Sequence, residues 1–198
     1  MKYDYKQSLK QIQKYSTDTV DPYGFHGQTI TQGFMKGTIQ LKQDIKYGTL
    51  TNSRFSTACV WYKEINVELF IDPTIVIAKE LYRDPCMRKA ILGHEMKHVR
   101  VDREIVNKYA KIMGKKVYEA IKSRGFMVGP IRMDRAQEVA NKMGRVVFQI
   151  LELEYKKLGI DRTEAQRAVD SIEEYESVDD KCPAFQRKKK SLYSGLGR

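Results

Sequence analysis

The sequence predicts an α+β fold in which a small antiparallel or mixed sheet packs on a long helix and further helices. Three observations carry this expectation. Apolar and β-branched residues recur at strand spacing between about residues 37 and 81. From about Met87 the apolar period turns helical and stays so over most of the remaining chain. No internal repeat interrupts that order of strands, then helices.

Residues 1–35 are polar and patchy, with turn signals at Asp21-Pro22, Gly24, Gly27 and Gly33. GTIQLKQDI (37–45) alternates in part, and FSTACVWY (55–62) is a β-branched and aromatic run. INVELFI (65–71) sets Ile65, Val67, Leu69 and Ile71 on one face against Asn66 and Glu68 on the other. Lys63-Glu64 reads as a tight hairpin connection between the last two runs. Pro73 ends the third, and TIVIAKEL (74–81) reads as a further strand or a short helix.

The first long helix follows, with Ile91, His94, His98, Ile105, Tyr109 and Ile112 near one face and a break expected at Gly114 or Gly125. A second is expected from about Asp134 to Lys157, closed by Gly159. A third starts at Asp161, where Glu164 stands at capping-box spacing, and reaches about Ser177. Residues 1–183 are expected to form one domain and 184–198 a mobile basic tail.

Composition narrows the function classes. With 41% apolar and 31% charged residues, 13 Gly and 5 Pro, the chain is neither collagen-like nor wholly disordered. Its 36 Lys and Arg against 25 Asp and Glu give a formal charge of +11. Lys181, Arg187, Lys188, Lys189, Lys190 and Arg198 fall in the last stretch. Such charge favours acidic partners, so weak polyanion binding is expected. No apolar run approaches the ~18 residues of a membrane span. MKYDYKQSLKQIQKYS has no apolar stretch behind its charge, so no signal peptide is visible; a periplasmic or secreted location is expected if one had been trimmed, and a cytoplasmic one otherwise. Cys59, Cys86 and Cys182 form no C-x-x-C pair; one disulfide with a spare thiol and three reduced thiols are both open, and a Cys86–Cys182 clip is geometrically plausible.

The chemistry lies at 94–98, H-E-M-K-H, which contains two of the chain's three histidines. Residues four apart on a helix share a face, so His94 and His98 can hold one metal between their rings. Glu95 is turned about 100° from His94, enough to reach a water rather than the metal. Two imidazoles and a carboxylate suit zinc with one open position. There Glu95 can act as a general base.

This stretch resembles the zincin metallopeptidases, whose active-site helix carries HExxH, and the wider pattern is similar to uncharacterised bacterial zinc-dependent proteases. The resemblance implies His94 and His98 as zinc ligands, Glu95 as general base, and hydrolysis of a peptide, protein or cell-wall peptide substrate. It departs at Lys97, where zincin helices usually carry an uncharged residue; a lysine there should point to solvent or to an acidic partner. The metzincin extension needs a glycine where this chain has Val101, so Glu104 is rejected as third ligand. The gluzincin pattern points to Glu119, provided the helix breaks near Gly114.

The last helix is the other source of a third ligand. Ala165, Ala168, Val169 and Ile172 define its apolar face, with Glu176 near the centre, Glu173 at the border and Glu174 nearly opposite. Glu173 and Glu176 are therefore the leading third ligands. Asp102 suits a supporting role or a salt bridge. His26, between Phe25 and Gly27, is a further candidate ligand or carbonyl-polarising group. Tyr109, Tyr118, Tyr155 and Tyr175 are candidate oxyanion donors. Zincins present an edge strand to extended substrate, a part INVELFI or TIVIAKEL could fill. Two alternative functions accompany the peptidase: a nucleic-acid or anionic-surface binding domain acting through the tail, and another zinc-dependent amide hydrolase.

Overall fold

The computed structural model describes residues 1–14, 30–171, 174, 177, 178 and 180–194. In chain order the elements are β1 (Lys2–Asp4), α1 (Leu9–Ile12), β2 (Gly33–Lys36), β3 (Ile39–Asn52), β4 (Thr57–Ile71), β5 (Thr74–Ile77), α2 (Lys79–Tyr82), α3 (Pro85–Arg124), β6 (Met127–Arg132), α4 (Ala136–Val169) and α5 (Pro183–Tyr193). The fold is mixed α+β, with two three-stranded sheets ordered β1-β5-β2 and β3-β4-β6. The chain divides into two compact units. The first comprises Met1–Ile39, Ile71–Glu104 and Asp161–Arg198; the second comprises Gln40–Phe70 and Ile105–Ile160.

In the first unit β5 is the central strand. Its T-I-V-I sequence is β-branched and almost wholly buried, as suits a strand covered on both sides. It pairs parallel to β1 (Tyr3 opposite Ile75) and antiparallel to β2 (Met35 opposite Ile75). Ile75, Val76 and Ile77 share a core with Met87, Ala90, Ile91 and Val99 of α3. Gly33 permits the close approach of β2 to that core, because a Cβ there would lie 2.6 Å from Ile91 Cγ2 and 2.7 Å from the Val76 carbonyl. TIVIAKEL thus supplies both of its expected forms, strand β5 and then the short helix α2.

Asp84 caps α3 by accepting from the backbone N–H groups of Cys86 and Met87, and Pro85 occupies the first helical position. Gly125 ends the helix at φ +96°, with Lys122 and Arg124 in the last turn. Of the two expected break points Gly125 is the one used, and α3 runs unbroken through Gly114. The α4 helix likewise continues through Gly159, so the expected second and third helices are one. A helical glycine costs only about 1 kcal/mol against alanine, and the packing of Leu158 outweighs that. Cys86 and Cys182 are disulfide-bonded and Cys59 is a free thiol. Where a tail was expected, α5 places Phe185 in the first unit's core.

In the second unit β3 and β4 form long strands joined at 53–56, where Ser56 adopts φ 48°. The hairpin connection is therefore not at Lys63-Glu64. Both residues are exposed in mid-strand, and Glu64 pairs with Lys46 at 2.8 Å. The strand β6, which no alternating pattern in the sequence announces, pairs antiparallel with β4. Gly129 there has φ +153°, and a Cβ would fall 2.6 Å from Cys59 Sγ. Val60 of β4 packs with Ala140 and Met143 of α4. TIVI forms β5, the central strand of its sheet, whereas INVELFI is the far part of β4, beyond the residues that pair with β6. The edges of the β5 sheet are β1 and β2.

Candidate metal centre

Two polar stripes meet in the first unit. On α3, His94, His98 and Asp102 are spaced four residues apart, so they stack along one face. Arg162 and Gln166 of α4, with Asp170 one residue past its end, repeat that spacing. The stripes pair in opposite directions. Asp170 Oδ1 lies 3.2 Å from His94 Nε2 and 3.0 Å from His98 Nε2. Gln166 Oε1 lies 2.5 Å from His98 Nδ1, and Gln166 Nε2 donates to Asp102 Oδ1 at 2.7 Å. Arg162 donates to both Asp102 oxygens, from Nε at 2.7 Å and Nη2 at 3.0 Å.

His94, His98 and Asp170 form a compact group whose ligating atoms all lie within 4.8 Å of one another. Tetrahedral zinc with bonds of about 2.0–2.1 Å sets its donors roughly 3.4 Å apart, so convergence of two imidazole nitrogens on one carboxylate oxygen fits a single cation. Glu95 stands beside them, 3% exposed. Its Oε2 is buried with no hydrogen-bond partner among the described residues, and the Met35 backbone N–H of β2 bonds to the carboxylate. In β2 the even-numbered residues bond to β5, as Ala78 N to the Gln32 carbonyl shows, so Met35 turns its N–H away from the sheet.

Burial pushes the Glu95 carboxyl up to about 7, against the opposing pull of His98 and His94. Burial also disfavours ionised Asp170, but the hydrogen bonds and charge of His94 and His98 prevail and hold it at about 2. For His98 burial acts to lower the value, and the Asp170 carboxylate, with Glu95 and Gln166, raises it overall. The two carboxyls are thus driven apart. Asp170 is a firm anion, whereas Glu95 can exchange a proton near neutrality.

The HExxH spacing expected from sequence therefore coincides with a buried three-ligand cluster, completed by a residue that was not among the expected ligands. Asp170 escapes a reading of apolar phase, because that phase runs through Ala168, which is exposed. The signal that finds it is the matched four-residue spacing of the two polar stripes. Glu173 and Glu176 lie outside the described residues, as do His26 and Tyr175. Glu119 sits in unbroken helix beside Lys115, at 3.8 Å, so the break its role required is absent. Lys97 points to an acidic partner as expected, pairing with Glu174, whose Oε2 is 3.9 Å from His94 Nδ1. Of its two expected readings Asp102 shows the salt bridge, to Arg162, and it also accepts from Gln166. Tyr109, Tyr118 and Tyr155 belong to the second unit, the cluster to the first.

No protein-family model, curated protein or solved structure matches the chain. Its class is defined by fold and site: an α+β protein with an HExxH-bearing helix and metal-ligand geometry of zincin type. Such a compact, buried cluster with an adjacent carboxyl is the arrangement of a metal-dependent enzyme. No helix of the described residues is long and apolar enough to cross a membrane.

Proposed function

We propose that the protein is a zinc-dependent peptidase, with His94, His98 and Asp170 as ligands and Glu95 as general base. The observation that carries this reading is the convergence of both histidine Nε2 atoms on Asp170 Oδ1 beside a buried, unbonded carboxyl oxygen. Zinc, when bound, supplies Lewis acidity that lowers the pKa of a water and polarises the scissile carbonyl.

The chain's own residues do the rest. Glu95 takes the proton of the attacking water and returns it to the leaving nitrogen, and its burial favours the protonated form between the two steps. The Met35 N–H orients that carboxylate, leaving Oε2 as the oxygen available for the proton. Asp170 stays anionic throughout the neutral range and balances the charge of the cation. The substrate is a peptide, protein or cell-wall peptide, and other amides share the same chemistry.

The test is metal content of untagged, chelator-free protein by plasma mass spectrometry, alongside a His94→Ala/His98→Ala variant, followed by a peptide-library screen. About one zinc per chain, lost in the variant, and peptide cleavage inhibited by chelator are expected. A chain that takes up no zinc at neutral pH overturns the reading. Zinc uptake with cleavage of non-peptide amides only would move it to another zinc-dependent amide hydrolase.

A further inference from the structure

The geometry points to a relay, Arg162–Asp102–Gln166, centred on the buried Asp102, that fixes the ring of His98 for metal binding and ties it to the strand beside Glu95. This rests on the proposed zinc site and deepens it. The orientation of one amide is decisive. Gln166 Nε2 donates to two acceptors, the His98 backbone carbonyl at 3.1 Å and Asp102 Oδ1 at 2.7 Å. An NH2 group engaged by two acceptors fixes which end of the amide is oxygen. Oε1 must then face His98 Nδ1, and a carbonyl oxygen can only accept, so Nδ1 carries the hydrogen. Deprotonated once, the ring keeps that hydrogen and presents the lone pair at Nε2, the atom that faces Asp170.

Asp102 secures the amide in turn. Its side chain is 1% exposed and is matched by a two-pronged guanidinium from Arg162, so the carboxylate is held in one position. Arg162 reaches further. Its Nη2 also donates to the Gly37 carbonyl at 3.1 Å, immediately after β2, whose Met35 N–H bonds to Glu95. One guanidinium thereby joins the His98 side of the site to the Glu95 side. Gln166, Asp102 and Arg162 are positioning residues, and their substitution acts on the ligand ring rather than on substrate.

The test uses the full chain. Zinc affinity is measured by competition with a chromophoric chelator for wild type, Gln166→Leu and Gln166→Glu, with the thermal midpoint of each metal-free protein as a folding control. The ring nitrogens of His98 are read in the zinc-loaded wild type by long-range 1H–15N correlation. Gln166→Leu removes the acceptor at similar size and is expected to weaken zinc binding 10–100-fold, whereas Gln166→Glu keeps an acceptor for Nδ1 but loses the bond to Asp102 and sets two carboxylates together, so a smaller loss is expected. The spectrum is expected to show Nδ1 protonated and Nε2 metal-bound. Equal affinities for wild type and Gln166→Leu would overturn the relay. If Gln166→Leu does not fold, the wild-type spectrum decides alone, since a metal-bound Nδ1 refutes the assignment. A wild type that binds no zinc defeats the proposed function and the relay together; zinc binding insensitive to Gln166 defeats only the relay.

Discussion

Among single residues, the separation of Glu95 from Asp170 governs what the site can do. Both are buried carboxyls beside the same two histidines, yet one sits at about 7 and the other at about 2. Burial raises both; at Asp170 the hydrogen bonds and charge of His94 and His98 overcome it, whereas at Glu95 burial prevails and one oxygen receives no hydrogen bond among the described residues. Glu95→Gln keeps size and the Met35 bond but cannot take a proton. It is expected to retain zinc while losing roughly 100- to 10,000-fold in turnover, checked by metal analysis beside a peptide-cleavage assay. Retained turnover would exclude Glu95 as the base.

The same groups set a pH dependence with opposite signs. Asp170 is depressed, so its contribution to metal-free stability is present above the ordinary carboxylate value and fades as pH falls towards about 2. His98 is raised, so its contribution is present below the ordinary histidine value and is lost as pH rises through the folded value. Zinc competes with the proton at His98 Nε2. The rise in thermal midpoint on adding saturating zinc is therefore expected to be larger at about pH 8 than at about pH 5.5. Calorimetry at the two pH values checks this, and an equal or reversed shift would exclude His98 as a ligand.

Among the secondary-structure elements, identical substitutions should act in opposite directions. Gly159 lies exposed within α4, and a methyl group placed on its Cα would meet nothing within 4 Å, so Gly159→Ala is expected to stabilise by about 0.5–1 kcal/mol. Gly33 lies in β2 against Ile91 and the Val76 carbonyl, so Gly33→Ala must displace the strand and is expected to cost about 1–3 kcal/mol. Because β2 carries the Met35 N–H, that displacement should also loosen Glu95. Urea unfolding of both variants measures the signs. Stabilisation by Gly33→Ala would show that β2 does not pack as described.

For the molecule as a whole, the disulfide matters most. Cys86 and Cys182 are 96 residues apart, and they join the start of the helix bearing the HExxH motif to the residue before α5. A loop of that length lowers the entropy of the unfolded chain by an amount worth about 4–5 kcal/mol in the chain-entropy account. Reduction, or Cys86→Ser with Cys182→Ser, is expected to lower the urea midpoint by a corresponding amount, with the far-ultraviolet spectrum retained in dilute buffer. A midpoint unchanged by reductant would show that the clip adds nothing to stability.

What is local in this protein is legible in its residues. HExxH needs only a helix, because four residues bring the two histidines onto one face, and the apolar period from Met87 onward supplies that helix. The α+β class and most strand positions follow from equally short-range patterns. Whatever depends on residues distant in the chain appears only in the folded molecule. Hairpin position is one such case: Lys63-Glu64 imitates a turn, but two exposed charged residues in the middle of a long strand look the same. Glycines at 114 and 159 imitate helix ends, and only packing around them shows that the helices continue. The third member of the cluster is hidden for a deeper reason. Apolar phase locates the side of a helix that meets the core, whereas the half-buried Arg162 and Gln166 and the buried Asp170 pack on a polar side, made stable by His94, His98 and Asp102 across from them. A partner some seventy residues away compensates their burial, and no window of local sequence contains it.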